Sequence, residues 1–119
     1  MSKKTVLFVE DDPVTQEQFR MRMKIFVNVL QATTLSEAEA VIKANPDIDL
    51  MAFDGNLRDP ENTCMLISEI RKTFAGPMVA ASSDEYMRSM QLESGCDHQT
   101  EKKFLASYIL HELGLSRAK

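Results

Sequence analysis

The chain has 119 residues, 44% of them hydrophobic and 27% charged, with a formal net charge of −4. That length suits one domain over 1–119 with a single core, and the acidic balance gives no bulk attraction to nucleic acid or an anionic membrane. No apolar run approaches the roughly 20 residues of a membrane span, and "MSKKTVLFV" lacks the features of a signal peptide.

Residues 5–9, "TVLFV", are short, apolar and β-rich, as in a strand buried on both faces. The strand ends abruptly in Glu10, Asp11 and Asp12. Asp12 followed by Pro13 predicts a helix start, because proline at the first helical position loses no hydrogen bond. Phe19, Met23 and Phe26 give that helix one buried face. A second strand is expected at 27–32. Ser36 and Glu39 form a candidate capping box for the next helix. Ala38, Val41 and Ile42 supply its inner face, and "NPD" at 45–47 ends it.

The third strand, 49–53, also stops at an acid, Asp54. Residues 55–62, "GNLRDPEN", read as a loop. A helix is expected over 63–74 with Ile67, Ile70 and Phe74 inward, then a strand "MVAA" at 78–81 ending at Ser82. A short helix over 85–94 stops at Gly95, a C-cap signal. The polar stretch 96–101 makes a poor strand and is expected at the edge of the sheet. A last helix over 103–113 is expected to bury Phe104, Leu105, Tyr108 and Ile109 before Gly114. This alternation predicts an α/β domain built on a parallel sheet. Met23, Met51 and Met78 read as core filler, while Met87 and Met90 fit either the core or an adaptable binding patch. Cys64 and Cys96 stand far apart with no CxxC pattern, which points to free thiols in a reducing cytoplasm. His98 and His111 lack the spacing of a zinc site.

In open parallel sheets, function gathers beyond the carboxyl ends of the strands, near the point where strand order reverses. There the chain places Glu10, Asp11 and Asp12, then Asp54, then Ser82, and finally Lys102 after the fifth strand. Each has a bland explanation. "EDDP" is a good helix start, Asp54 before Gly55 a turn residue, Ser82 a helix cap and Lys102 a solvated charge. Those explanations do not account for acid, acid, hydroxyl and lysine arriving in turn at successive strand ends.

The segments "VLFVEDDP", "DIDLMAFD", "PMVAASS" and "SGCDHQTEKKF" together resemble the receiver domain of two-component response regulators, over nearly the whole chain. The resemblance implies a flavodoxin-like three-layer sandwich, with a five-stranded parallel sheet in order 2-1-3-4-5 and about five helices. It implies that Glu10 and Asp11 hold a divalent cation, Mg²⁺, together with Asp54 and the backbone carbonyl of Asn56. Asp54 would be the phosphoacceptor, Ser82 the hydroxyl that bonds the phosphoryl group, and Lys102 the family's lysine. Mg²⁺ suits such a site because it prefers hard oxygen ligands, and phosphoryl transfer rests on positioning and electrostatics.

Such a chain accepts a phosphoryl group and signals by protein–protein contact, and is not a turnover enzyme. The expected donor is a histidine kinase or a histidine phosphotransfer protein, docking near Pro13, Val14 and Gln18. A monomer or weak dimer in the cytoplasm is expected, with no nucleic-acid or membrane partner. Three positions depart from the family pattern. Gln99 stands where an aromatic residue usually switches, so any coupling needs another element. Lys103 replaces the proline after the lysine; a trans bond is expected, since a non-proline cis bond costs about 2.5–4 kcal/mol. Arg58 and Asn62 alter the loop after Asp54. The segment from Ser82 to Gly95 is short for the family, and Asp84 is close enough to Ser82 to influence water attack on a phosphoaspartate. The departures at Gln99 and Lys103 motivate a second reading, an interaction module on the same fold that works without phosphorylation.

Overall fold

The computed structural model describes residues 3–54 and 60–115, with the side chains of 60–62 set aside. Five strands alternate with five helices: β1 (Thr5–Val9), α1 (Pro13–Met23), β2 (Asn28–Ala32), α2 (Leu35–Ala44), β3 (Leu50–Phe53), α3 (Pro60–Arg71), β4 (Met78–Ala80), α4 (Glu85–Ser94), β5 (His98–Gln99) and α5 (Leu105–Glu112). A 3-10 turn over Lys102–Phe104 leads into α5. All strand pairs are parallel and the order is β2-β1-β3-β4-β5. The chain therefore adopts the expected five-stranded flavodoxin-like sandwich. Strand order reverses between β1 and β3, so the crevice for function lies where these two strands end.

Alternation along the strands sorts the core into two layers. Leu7, Val9, Met51, Phe53, Met78 and Ala80 face one way and pack with Ala38, Leu66, Ile67 and Ile70 of α2 and α3. Val6, Phe8, Leu50, Ala52 and Val79 face the other way and pack with Phe19, Met23, Leu105 and Ile109 of α1 and α5. The three methionines assigned to the core, Met23, Met51 and Met78, are buried; Met87 and Met90 are half-buried on α4.

Several local expectations need correction. Thr34 caps α2, its hydroxyl accepting from Glu37 N at 3.1 Å. Glu37 Oε1 reaches back to Thr33 N at 2.6 Å. The Ser36–Glu39 box is thus displaced by an overlapping Thr-x-x-Glu two residues earlier. Helix α3 starts at Pro60 and ends at Arg71, leaving Phe74 partly buried beyond the helix end. Phe26 likewise follows α1 and is partly buried. Phe104 is 54% exposed, because the 3-10 turn rotates it out of the α5 stripe. Gly95 ends α4 at φ 143°, a conformation that disfavours side chains, and an added Cβ would lie 3.1 Å from Arg71 Cβ. No described residue forms a cis peptide bond, so Lys102–Lys103 is trans as expected. No described helix is long and apolar enough to cross a membrane.

Candidate functional site

Backbone hydrogen bonds carry the sheet one step past β1 and β3. Asp54 N donates to Val9 O at 2.9 Å, and Glu10 N donates to Ala32 O at 3.0 Å. Gln16 of α1 fastens the same edge. Its buried side-chain amide donates to the carbonyls of Phe8, Glu10 and Ala32 at 2.9–3.1 Å and accepts from Gln31 Nε2 at 2.9 Å. The backbone that carries the acids is thus held from the strands and from the first helix.

The acidic run divides by role. Asp12 is exposed and caps α1, its carboxylate accepting from Thr15 N at 3.1 Å. The Thr15 hydroxyl, which also donates to that carboxylate, and then the Thr15 N–H hold its carboxyl below the usual range. Glu10 and Asp54 are each only 1% exposed, and Asp11 is half-buried beside them. One carboxylate oxygen from each of Glu10, Asp11 and Asp54 lies within 4.8 Å of the others, an arrangement that could hold a metal ion. The helix-start reading of "EDDP" therefore holds for Asp12, while Glu10 and Asp11 join a carboxylate cluster that could hold a cation.

Lys102 enters from the turn after β5. Its Nζ is 3.0 Å from Glu10 Oε1 and 3.4 Å from Asp54 Oδ1. Glu10 Oε2 accepts from Asp12 N at 3.1 Å. Three carboxyl groups thus face one ammonium. At about 5 Å and an effective dielectric near 20, each carboxylate pair repels by roughly 3 kcal/mol, and with all three ionised one ammonium leaves the cluster with an excess of negative charge. The groups respond accordingly. Burial, with Asp54 close by, pushes Glu10 from 4.5 up to about 7, although Lys102 pulls the other way. Burial alone would lower Lys102, but Glu10 and Asp54 outweigh it and raise the ammonium above its ordinary value. The cluster is short of positive charge, and hard oxygen donors at this spacing suit a divalent cation such as Mg²⁺.

Ser82 is buried at the end of β4, next to β3. Its hydroxyl accepts from Asp84 N at 3.0 Å, and its carbonyl accepts from Arg88 Nη1 at 2.8 Å. Asp84 is itself the cap of α4, accepting from Tyr86 N at 2.9 Å. Asn56 lies outside the described residues, as do Arg58 and the side chain of Asn62. The fold therefore brings Glu10, Asp11, Asp54 and Lys102 together and sets Ser82 at the same sheet edge.

Three polar residues beside this site carry no motif. Gln16 is visible only as a polar residue on the buried 16/19/23 stripe of α1. Gln91 is fully buried on α4 and donates to Phe53 O at 3.3 Å. Arg88 reaches both Ser82 and Gln99.

No protein-family model matches the chain, and no curated protein matches its sequence. Solved structures do. A CheY-like receiver domain from Methanospirillum hungatei is 22% identical, covers 95% of each chain and has a TM-score of 0.79. A chain in the complex of the CheA3 P1 domain with CheY6 from R. sphaeroides is 18% identical, with a TM-score of 0.76. It covers 96% of this chain and 99% of that one. An atypical orphan response regulator, described as having a phosphorylation-independent regulatory mechanism, is 16% identical with a TM-score of 0.74. That match covers 97% of this chain and 99% of the neighbour. Strand order, helix placement and these likenesses agree: the chain has the fold of the CheY-like response regulator receiver domain.

Proposed function

We propose that this chain is a receiver: a switch that takes a phosphoryl group from a phosphohistidine onto Asp54. One observation carries the reading. Glu10, Asp11 and Asp54 converge within 4.8 Å, and Lys102 Nζ bridges two of them. Asp54 supplies the attacking carboxylate oxygen. The new bond joins that oxygen to phosphorus as the phosphorus–nitrogen bond breaks, and the departing imidazole takes a proton. Lys102 balances charge on the incoming group. Ser82 has a hydroxyl at the same edge to donate to a phosphoryl oxygen. A divalent cation held by Asp11 and Asp54, with Glu10 acting through water, would offset the repulsion between two anions. Asn56 would add its carbonyl. The acceptor serves as a signalling module rather than a turnover enzyme.

The donor would be a histidine kinase or a histidine phosphotransfer protein. Support comes from α1, where Pro13, Val14 and Gln18 are exposed and Val14 keeps 61% of its surface. With Glu17, Met21 and Arg22 they form one exposed face of α1, the helix that follows Glu10–Asp12. The neighbour that pairs CheY6 with a P1 domain supports the same kind of partner.

Incubating the protein with Mg²⁺ and a small-molecule phosphodonor should add one phosphoryl group by intact mass, and Asp54→Asn should add none. Modification that survives in the variant would overturn the assignment. Gln99 favours a second reading, because an exposed amide stands where the family carries its switching aromatic. On that reading the pocket is an interaction module working without phosphate, and neither Mg²⁺ binding nor an Asp54 adduct would be seen.

A further inference from the structure

Helix α4 carries one half-buried arginine, Arg88, whose guanidinium spans two elements. Its Nη1 donates to the carbonyl of Ser82 at 2.8 Å. Its Nε donates to the side-chain oxygen of Gln99 at 3.3 Å. Gln99 sits on the edge strand β5 in register with Ala80, two residues before Ser82. Ala80 faces the layer that packs with α2 and α3, and its neighbour in register projects to that same face, which α4 also covers. One planar cation therefore touches the loop at the acidic pocket and the outer strand of the sheet.

We infer that Arg88 couples the pocket to the β5 surface, acting on Ser82 as a positioning residue. The inference rests on the reading of Asp54 as phosphoacceptor. Ser82 is buried two residues past β4, and a backbone movement that carries it toward an occupied Asp54 displaces its carbonyl together with its hydroxyl. The guanidinium is a rigid plane, so its Nε and Nη1 donors hold two acceptors in a fixed relation. A shift of the Ser82 carbonyl either drags the fork from Gln99 or breaks it from Ser82. Either result changes the exposed edge of β5, where a partner would read it. The arginine does in polar form what a swinging aromatic cannot do here, because the side chain at that strand position is an amide. It also gives the site a second tie to α4, whose cap Asp84 donates its own N–H to the Ser82 hydroxyl.

The test uses backbone and side-chain amide NMR. In the unmodified protein, Gln99→Ala should shift the Ser82 and Asp84 amide resonances. In an Arg88→Ala background the same substitution should leave them within error. Arg88→Lys is the second variant; it keeps the charge and the stem but cannot present two forked donors, and should also lose the response. Equal Ser82 shifts with and without Arg88 would overturn the coupling, whether or not Asp54 is ever phosphorylated. With an Asp54 adduct formed, the Gln99 side-chain amide should shift in the wild type and, compared at equal adduct occupancy, at least threefold less in Arg88→Lys. Undiminished Gln99 shifts in that variant would overturn the coupling. Failure of the wild type to form an adduct would overturn the receiver reading alone, since the unmodified-protein cycle stands apart from it.

Discussion

The two ends of the sheet both place acids beside a cation, and they do so differently. At the amino ends of the strands every named carboxylate meets a backbone donor. Asp49 Oδ2 accepts from Thr5 N at 2.8 Å, and Asp97 Oδ1 accepts from Met78 N at 2.8 Å. Arg71 then ties Asp97 to the carbonyls of Phe74, Gly76 and Gly95 at 2.7–3.2 Å. At the carboxyl ends, Glu10, Asp11 and Asp54 face one another, and Lys102 lies 3.0 Å from Glu10 and 3.4 Å from Asp54. The first arrangement satisfies its charges and joins α3, β4 and β5. The second brings like charges close together in a buried place, an arrangement that costs stability and that a bound cation would relieve.

That contrast can be broken in order of effect. Asp54→Asn should reduce phosphoryl incorporation to background by intact mass while leaving the far-ultraviolet circular dichroism unchanged. Lys102→Ala should slow incorporation by about a hundredfold, the scale expected when a preorganised charge is removed from a transition state. Arg71→Ala should do the opposite. It abandons three carbonyls and Asp97, so urea unfolding should show a loss of roughly 2–4 kcal/mol with the incorporation rate unchanged. If Arg71→Ala abolished incorporation in a folded protein, the two ends would not be functionally separate.

A smaller effect sharpens the electrostatics. Folding raises the Glu10 carboxyl from 4.5 to about 7, so the folded chain binds that proton more tightly than the unfolded chain. The associated stability is complete below pH 4.5 and is lost as the pH rises through about 7. Allowing for solvent screening, metal-free protein should lose on the order of 1–3 kcal/mol across that window. Glu10→Gln should flatten the profile. Mg²⁺ competes with the same proton, so its affinity should fall as the pH drops below about 7 in the wild type. A pH-independent affinity between pH 6 and 8 would place Glu10 outside the cation's surroundings.

Much of this was readable from the residues. The central strands announce themselves because a parallel strand buried on both faces is a short apolar run, as at 5–9 and 50–53. The acids could be assigned to one pocket because each ends a strand, and strand ends share an edge. What escaped has a common cause. Gln16, Arg88 and Gln91 are polar residues whose partners are mostly backbone carbonyls, and carbonyls leave no trace in residue identity. Phe104 was assigned to the core by helical spacing, but the chain around it turns as a 3-10 segment with a different period. The Ser36–Glu39 box competed with Thr34–Glu37, and only the direction of the entering chain chose between them.

Receiver chemistry at Asp54 requires Glu10, Asp11 and Asp54 to share one cation. Titrating the protein with Mn²⁺ as a paramagnetic substitute for Mg²⁺ should broaden the amide resonances around residues 10, 11 and 54 first, saturating at one ion per chain. Excess Mg²⁺ should reverse the broadening. Broadening centred elsewhere, or none at concentrations where Mg²⁺ supports phosphorylation, would contradict it.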